Sequence, residues 1–359
     1  MKFIHIADVH FDSQFVNLSD RDSFGELKRL EQRRVFKKVI QYIKENNVDF
    51  LFISGDLYEQ KYIRESTIEY INNLFKEIPN TKIYISPGNH DPYIKNSYYN
   101  KFNWNENVHI FSSKIEKIEL ENVNIYGYGF GDFYCTDCGI EKINLEKNDK
   151  ENILVIHSTI DGANIEEKQY NSISRKILEE IGFDYVATGH IHKSDYNSYE
   201  NQKIVYPGSL VSLGFDEIGE HGMICGEINN KNLEIKFIPL SENNFEEINI
   251  DVSDINSKDE LIEKLNELEI KENSLIKIIL TGYRRFEINV YDIYKLIENE
   301  RIIKIKNCTK IKYDLEKISN TYTLKGLFAK EILEKQKESS EEEKEILEKA
   351  VEIAFEALQ

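Results

Sequence analysis

Five short apolar runs between residues 2 and 192 each end in polar side chains able to bind a metal ion. Lys2–Ala7 leads into Asp8-Val9-His10, and Asp49–Ser54 into Gly55-Asp56. Lys82–Ile85 leads into Ser86-Pro87-Gly88-Asn89-His90-Asp91, Ile153–Ile156 into His157, and Tyr185–Thr188 into Gly189-His190-Ile191-His192. Runs this short and this apolar read as strands buried on both faces. Helical stretches separate the first three. One runs from about Ser23 to Asn46 behind a Ser23…Glu26 capping box, and the next carries Ser66…Glu69 as its box. The βαβαβ order predicts a parallel sheet with helices on both faces. Ligands of such sheets bind at the C-terminal strand ends, where these polar residues fall.

Further along, Val108–Phe130 reads as short strands broken by Gly127 and Gly129, and a helix is expected near 172–181. Strands at Ile204–Tyr206, Gly222–Ile228 and Leu233–Pro239 complete a unit of two sheets packed face to face between helices. Composition changes near Leu240. A polar acidic stretch leads to a helix at about 258–268, a strand at Leu275–Leu280, a helix near 291–299 and a strand near 302–306. This predicts a small α/β module over 241–315. The remainder, 316–359, is helical. It has one stripe of Leu324, Leu327, Phe328 and Ile332 and another of Leu347, Val351, Phe355 and Leu358, with a break and new cap at Ser339–Glu343. Those stripes can pack on their own domain or dock on a partner's helices.

The chain has eight histidines, and His10, His90, His157, His190 and His192 all stand at strand ends. His5, His109 and His221 do not, and read as structural or solvent-facing. Chance alone does not place five of eight at such positions. His, Asp and Asn donors together suit manganese, iron or zinc better than calcium. Two cations about 3.5–4 Å apart can hold the attacking and leaving oxygens of a phosphoryl displacement, and a carboxylate between them lowers their repulsion. Gly55, Gly88 and Gly189 beside the donors permit sharp turns and close approach of a substrate.

In the order D-x-H, G-D, G-N-H-D, H and G-H-x-H, the pattern resembles the calcineurin-like metallophosphoesterases. Within them the chain is similar to the SbcD-type DNA repair exonucleases, nearest the bacterial YhaO-like branch. The narrower likeness rests on Ile6–Ser13, on Gly55-Asp56-Leu57-Tyr58, on Tyr206–Leu210 followed by Gly214–Glu217, and more weakly on Thr323–Phe328. It is firm over about residues 1–240 and loose beyond. The resemblance implies a four-layer α/β/β/α sandwich with the small α/β cap and C-terminal helices appended. It implies that Asp8, His10 and His192 hold one metal, that Asn89, His157 and His190 hold the other, and that Asp56 bridges them, with manganese expected and iron or zinc as substitutes. His90 is then not a ligand but faces the scissile phosphate, stabilising charge or protonating the leaving oxygen.

The implied activity is metal-dependent exonuclease and endonuclease cleavage of DNA in double-strand break repair. The 316–359 helices would dock on an SbcC- or YhaN-like coiled-coil ATPase, and a homodimer is compatible with it. The alternative on the same core is a small-molecule phosphodiesterase or nucleotide phosphatase. An assembly protein with a vestigial site is a third reading, opposed by the complete donor set. One departure bears on the choice. Archaeal and eukaryotic nuclease relatives carry a His three residues after the bridging Asp, where this chain has Glu59. Glu59 either pairs with His90 and keeps it protonated or is an exposed loop acid.

Charge bears on partners. The formal net charge of -18 argues against a protein that coats nucleic acid. Residues 242–272 hold eleven acids against three lysines, whereas 277–312 hold nine basic residues against four acids. Arg284, Arg285, Lys304, Lys306, Lys310 and Lys312 are therefore the expected contacts to a DNA backbone. Four cysteines are too few to staple the chain, and no apolar run approaches a membrane span, which together predict a cytoplasmic location. Cys135-Thr136-Asp137-Cys138 is a lone CxxC, read as chance spacing against a zinc or redox role.

Overall fold

The computed structural model describes all residues except 16–17, 20–23, 147, 163–169, 312 and 359. The chain divides into two compact units, one formed by 1–246 with 271–275 and the other by 247–270 with 276–359.

The first unit holds two sheets. Strands β1 (Lys2–Ile6), β2 (Phe50–Ile53), β3 (Lys82–Ile85) and β4 (Val108–Ile110) pair in parallel, and helices α1 (Phe24–Asn46) and α2 (Glu65–Lys76) connect the first three. The second sheet orders β5 (Glu116–Glu119), β6 (Val123–Tyr128), β7 (Glu151–His157), β8 (Tyr185–Gly189) and β9 (Ile204–Val205), with all but β5 parallel. A short helix, α3 (Tyr98–Lys101), precedes β4, and α4 (Arg175–Ile181) precedes β8. The hairpin β10 (Gly222–Asn229) and β11 (Asn232–Pro239) returns to the first sheet and pairs antiparallel with β1.

The alternation along each strand shows why the apolar runs are continuous. Ile4, Ile6, Leu51 and Ile53 pack beneath α1 and α2 in one core. Phe3, Phe52, Ile153, Val155 and Tyr185 fill the space between the sheets. Leu154, Ile156 and Val186 face the α4 side. The result is the four-layer α/β/β/α sandwich. Between the sheets sits one polar chain. His5 Nδ1 meets Tyr185 Oη at 2.8 Å, its Nε2 meets Ser54 Oγ at 3.1 Å, and Ser54 Oγ donates to Ala187 O. Burial lowers the His5 pKa to about 3, so this histidine is neutral and structural.

Of the two expected caps, one comes out differently and the other is not described. Ser23 lies outside the described residues. The α2 helix begins at Glu65, so Ser66 is inside its first turn, and the capping residue Arg64 contributes no side-chain bond. Asp12, on the loop after β1, anchors the start of the helix instead. Its Oδ2 accepts from Arg64 N at 3.1 Å and from Thr67 Oγ1 at 2.7 Å.

The second unit contains a sheet ordered β12 (Asn244–Asp251), β13 (Ser274–Thr281) and β15 (Ile302–Asn307), with helices α5 (Lys258–Asn266) and α6 (Val290–Tyr294). Strand β12 lies inside the polar acidic stretch for which no strand was expected. Its Ile248 and Ile250 alternate inward while Glu247 and Asp251 point out, so charge concealed a period-two strand. The expected 291–299 helix stops at Tyr294. A two-stranded ribbon, β14 (Tyr283–Arg284) and β16 (Lys310–Ile311), follows in the same unit. Helices α7 (Leu315–Ser319), α8 (Leu324–Gln336) and α9 (Glu341–Ala357) share a core of Ala329, Ile332, Val351 and Phe355. Ser340 and Glu343 cap α9 reciprocally. Leu324 and Leu327 do not join that core; both are about two-thirds exposed, because Gly326 and Ala329 occupy the buried side of α8. Among the described residues no helix is long and apolar enough to cross a membrane.

Candidate metal centre

The five strand-end groups converge above the two sheets of the first unit. They leave their strands by unusual turns. Asp8, His10 and Asp56 have φ near +50°, and His190 has φ 107°. Left-handed backbone at non-glycine residues costs energy and persists where the surroundings hold it. Here each turn redirects a donor inward. Asp91 locks one of them. Buried, it accepts from Gly88 N and Leu57 N at 2.6 Å, from Asp56 N at 3.1 Å and from Tyr99 Oη at 2.6 Å. It thus ties the loop after β3 to the loop after β2. The glycines serve the donors more than a substrate. A Cβ on Gly88 would overlap Asp56 Oδ1, and one on Gly55 would overlap the His157 ring.

Two sets of donors form. His10 Nε2 and His192 Nε2 are 3.2 Å apart, with Asp8 in the same cluster. His157 Nε2 and Asn89 Oδ1 are 3.0 Å apart. Asp56 Oδ2 stands between the sets, 3.7 Å from His10 Nε2 and 3.4 Å from His157 Nε2. His190 donates its backbone N–H to Asp8 and sets its ring 5.2 Å from that of His157, though its ring nitrogens join none of the close clusters. Burial lowers its pKa to about 3, which leaves a neutral imidazole able to act as a ligand.

The other ring nitrogen of three histidines faces an oxygen. His10 Nδ1 meets Glu59 Oε1 at 2.7 Å, His157 Nδ1 meets Ser54 O at 2.9 Å, and His192 Nδ1 meets Glu217 Oε1 at 2.5 Å. An acceptor on Nδ1 fixes the proton there and leaves the Nε2 lone pair directed into the site. Asp8 and Asp56 are fully buried, and among the described contacts neither meets a Lys or Arg. Buried carboxylates require compensating charge, and divalent cations held among these N and O donors would supply it. The residues therefore fit the metals expected of them. Burial disfavours the Asp56 charge, but the imidazoles of His157, His10 and His90 outweigh it and hold this carboxyl well below the ordinary range.

Glu59 is not a free loop acid. It lies between two rings, with Oε1 on His10 and Oε2 on His90 Nδ1 at 3.0 Å. Burial works against charge on His90, yet the Glu59 bond and the Asp56 and Glu59 charges raise its pKa to about 9. Sequence reasoning passed over Glu217 as a partner of His192. It stands 25 residues further on, inside the Gly214–Glu217 stretch noted only for its resemblance. Glu217 also accepts from Ser209 Oγ and Leu213 N at 2.9 Å, which fixes its carboxylate.

The described residues expected to contact DNA belong to the second unit. Arg284 and Lys310 are on the β14–β16 ribbon, and Lys304 and Lys306 alternate along β15. Arg285 bonds Asn256 Oδ1, Lys310 faces Glu352 at 3.7 Å, and Lys312 is outside the described residues.

A four-layer sandwich with His, Asp and Asn donors at its strand ends defines a metal-dependent phosphoesterase. The chain belongs to the calcineurin-like phosphoesterase family, whose model matches residues 1–194. It is 26% identical over 264 residues to the uncharacterized metallophosphoesterase YhaO of Bacillus subtilis, covering 71% of this chain and 64% of YhaO. The chain thus spans slightly less than two thirds of that relative. It is 29% identical over 277 residues to the SbcD component of the nuclease SbcCD of Staphylococcus epidermidis, covering 67% of this chain and 70% of the relative. The corresponding SbcCD component of Staphylococcus saprophyticus is 28% identical over 311 residues, covering 77% of each chain.

Proposed function

We propose that this protein is a metal-dependent DNA nuclease that hydrolyses phosphodiester bonds, with manganese as its cation and an exonuclease mode of action. The observation that carries the hydrolytic part is the placement of Asp56 between two sets of inward-facing donors. Asp8, His10 and His192 would hold one cation, Asn89, His157 and His190 the other, and Asp56 both. Bound divalent cations neutralise charge at the phosphate and lower the pKa of the attacking water. The chain's own residues orient and protonate. Glu59 holds the His90 ring by Nδ1, so its Nε2–H is free to donate to the leaving oxygen as the P–O bond breaks. Asp91 and the left-handed turns hold the donors in place before substrate arrives.

Support for DNA as substrate comes from the two relatives named as parts of a nuclease. Glu59, standing where nuclease relatives carry a His, favours a second reading as a phosphodiesterase of small molecules. Turnover with manganese of end-labelled duplex DNA, of bis-p-nitrophenyl phosphate and of nucleoside monophosphates separates the two. Cleavage of the small esters alone refutes the nuclease reading. The apolar residues left exposed on α8 and α9, Leu324, Leu327, Ile346 and Ile353, are assigned on the same reading to docking on a coiled-coil ATPase. Deletion of residues 320–359 should then end co-purification with it, and retention refutes the assignment.

Glu59→Gln tests the His90 role. Glu59 raises the His90 pKa, so the alkaline limb of kcat should move to lower pH by about one unit, since an opposite charge at this range shifts a pKa by about 1–3 units. An unmoved limb shows that His90 is not the acid.

A further inference from the structure

The loops that carry the donors continue outward into a second feature. A cleft of about 750 Å³ opens between the N-terminal halves of α1 and α2, lined by Arg29, Arg33 and Arg64 together with Tyr62, Thr67 and Asp12. Asp12 is two residues past His10 on one loop, and Tyr62 is three past Glu59 on the other. Both loops thus run from the metal centre to the cleft. Gln32 fixes α1 to that loop, donating from Nε2 to Val9 O at 2.8 Å and to His10 O at 2.9 Å. Arg29 and Arg33 flank Gln32 one turn apart on the same side of α1.

The three arginines are not equivalent. Arg33 is committed within the fold, 3.3 Å from Asp12 Oδ1, 3.0 Å from Thr67 Oγ1 and over the Tyr70 ring. Among the described residues Arg29 has one long contact, to Ser13 O at 3.4 Å. Arg64 is exposed, and no side-chain bond or ion pair involves it among the described residues. Asp12 is occupied by Arg33 and by the start of α2, which leaves Glu26 as the remaining acid among the described residues of the rim. Among the described residues, two guanidinium groups are thus presented into a polar cleft with no ion pair to an acid. Guanidinium forks match phosphate geometry, and contacts of this kind set register on a nucleic-acid backbone without reading sequence.

We propose that this cleft takes the phosphodiester backbone of the strand whose scissile phosphate lies at the metal centre. Arg29 and Arg64 are the contacting side chains, and Arg33 is a positioning residue that holds the cleft open through Asp12 and Thr67. This inference rests on the nuclease reading. It places part of the strand's grip on the catalytic unit of an acidic chain, apart from the basic residues of 277–312.

The test uses the full chain with an Arg29→Gln/Arg64→Gln double variant. Metal-free protein is titrated with a single-stranded oligonucleotide across a salt series, and manganese-loaded protein is assayed on the same oligonucleotide and on bis-p-nitrophenyl phosphate. The slope of log K against log salt should become shallower by about 1.4, two contacts at about 0.7 each for a single strand. The ratio of kcat/KM for oligonucleotide over bis-p-nitrophenyl phosphate should fall at least about tenfold, corresponding to about 1.4 kcal/mol. If the double variant loses its fold by thermal melting, Arg64→Glu on its exposed side chain carries the same comparison. A wild-type protein that cleaves the oligonucleotide while the variant matches its slope and ratio overturns the cleft alone. A wild-type protein that turns over only the small ester overturns the nuclease reading and the cleft with it.

Discussion

Asp56→Asn is expected to lower metal-dependent kcat by at least about 10²–10³-fold, the cost of removing one preorganised electrostatic group from an active site. The substitution keeps size and shape, and an amide oxygen at the Oδ1 position still accepts from His90 N, a bond of 2.8 Å in the native protein. Its effect falls on Oδ2, which becomes an NH₂ group facing His157 Nε2 and His10 Nε2 at 3.4 and 3.7 Å. One negative charge is lost between the donor sets, and a donor is turned toward lone pairs that need a cation. Turnover of bis-p-nitrophenyl phosphate across a manganese titration, with a melting curve to show an intact fold, checks this. Activity within about threefold of wild type, less than one such group contributes, would remove Asp56, and with it the metal-dependent reading.

Glu217→Ala should weaken cation binding by about 10–100-fold, as loss of a carboxylate behind a metal-bound histidine commonly does. Burial disfavours charge on His192, but the Glu217 bond and the Asp8 charge raise its pKa to about 9 in the metal-free protein. A cation that takes His192 Nε2 must therefore expel a proton, so affinity falls as pH drops below about 9. The sign follows from a raised pKa: the competing proton is bound below it and absent above. In Glu217→Ala that competition is weaker, and the affinity–pH curve should be flatter as well as lower. Calorimetry in two buffers of different ionisation enthalpy reads both quantities. An unchanged affinity with an unchanged proton release excludes Glu217 from the site.

The strands and most of their bounds were legible because burial on both faces leaves no room for polar interruption. Lys82–Ile85 and Tyr185–Thr188 carry that pattern without ambiguity. Strand β12 is hidden because only one of its faces is buried, and the acids of its open face dominate a reading by composition. The anchor of the α2 start is not legible locally because Asp12 supplies it from 52 residues away, beyond any short-range rule. Leu324 and Leu327 fit a helical stripe in spacing, yet the small Gly326 and Ala329 bring α8 closer on the other side.

By itself the sequence determined the donor types and the sheet edge they share, since a strand that must be buried delivers whatever follows it to its C-terminal end. It also marked His5 as different from the strand-end histidines. Only the tertiary structure decided the pairings. Glu59 stands between His10 and His90, Glu217 behind His192, Ser54 behind His157, and Asp91 binds two loops instead of a metal. Those partners are distant along the chain, and their meeting depends on left-handed turns at Asp8, His10, Asp56 and His190 that no local preference of these residue types dictates. Side-chain chemistry can be read one residue at a time, but the nitrogen that faces the cation is set by what the packed fold places behind the ring.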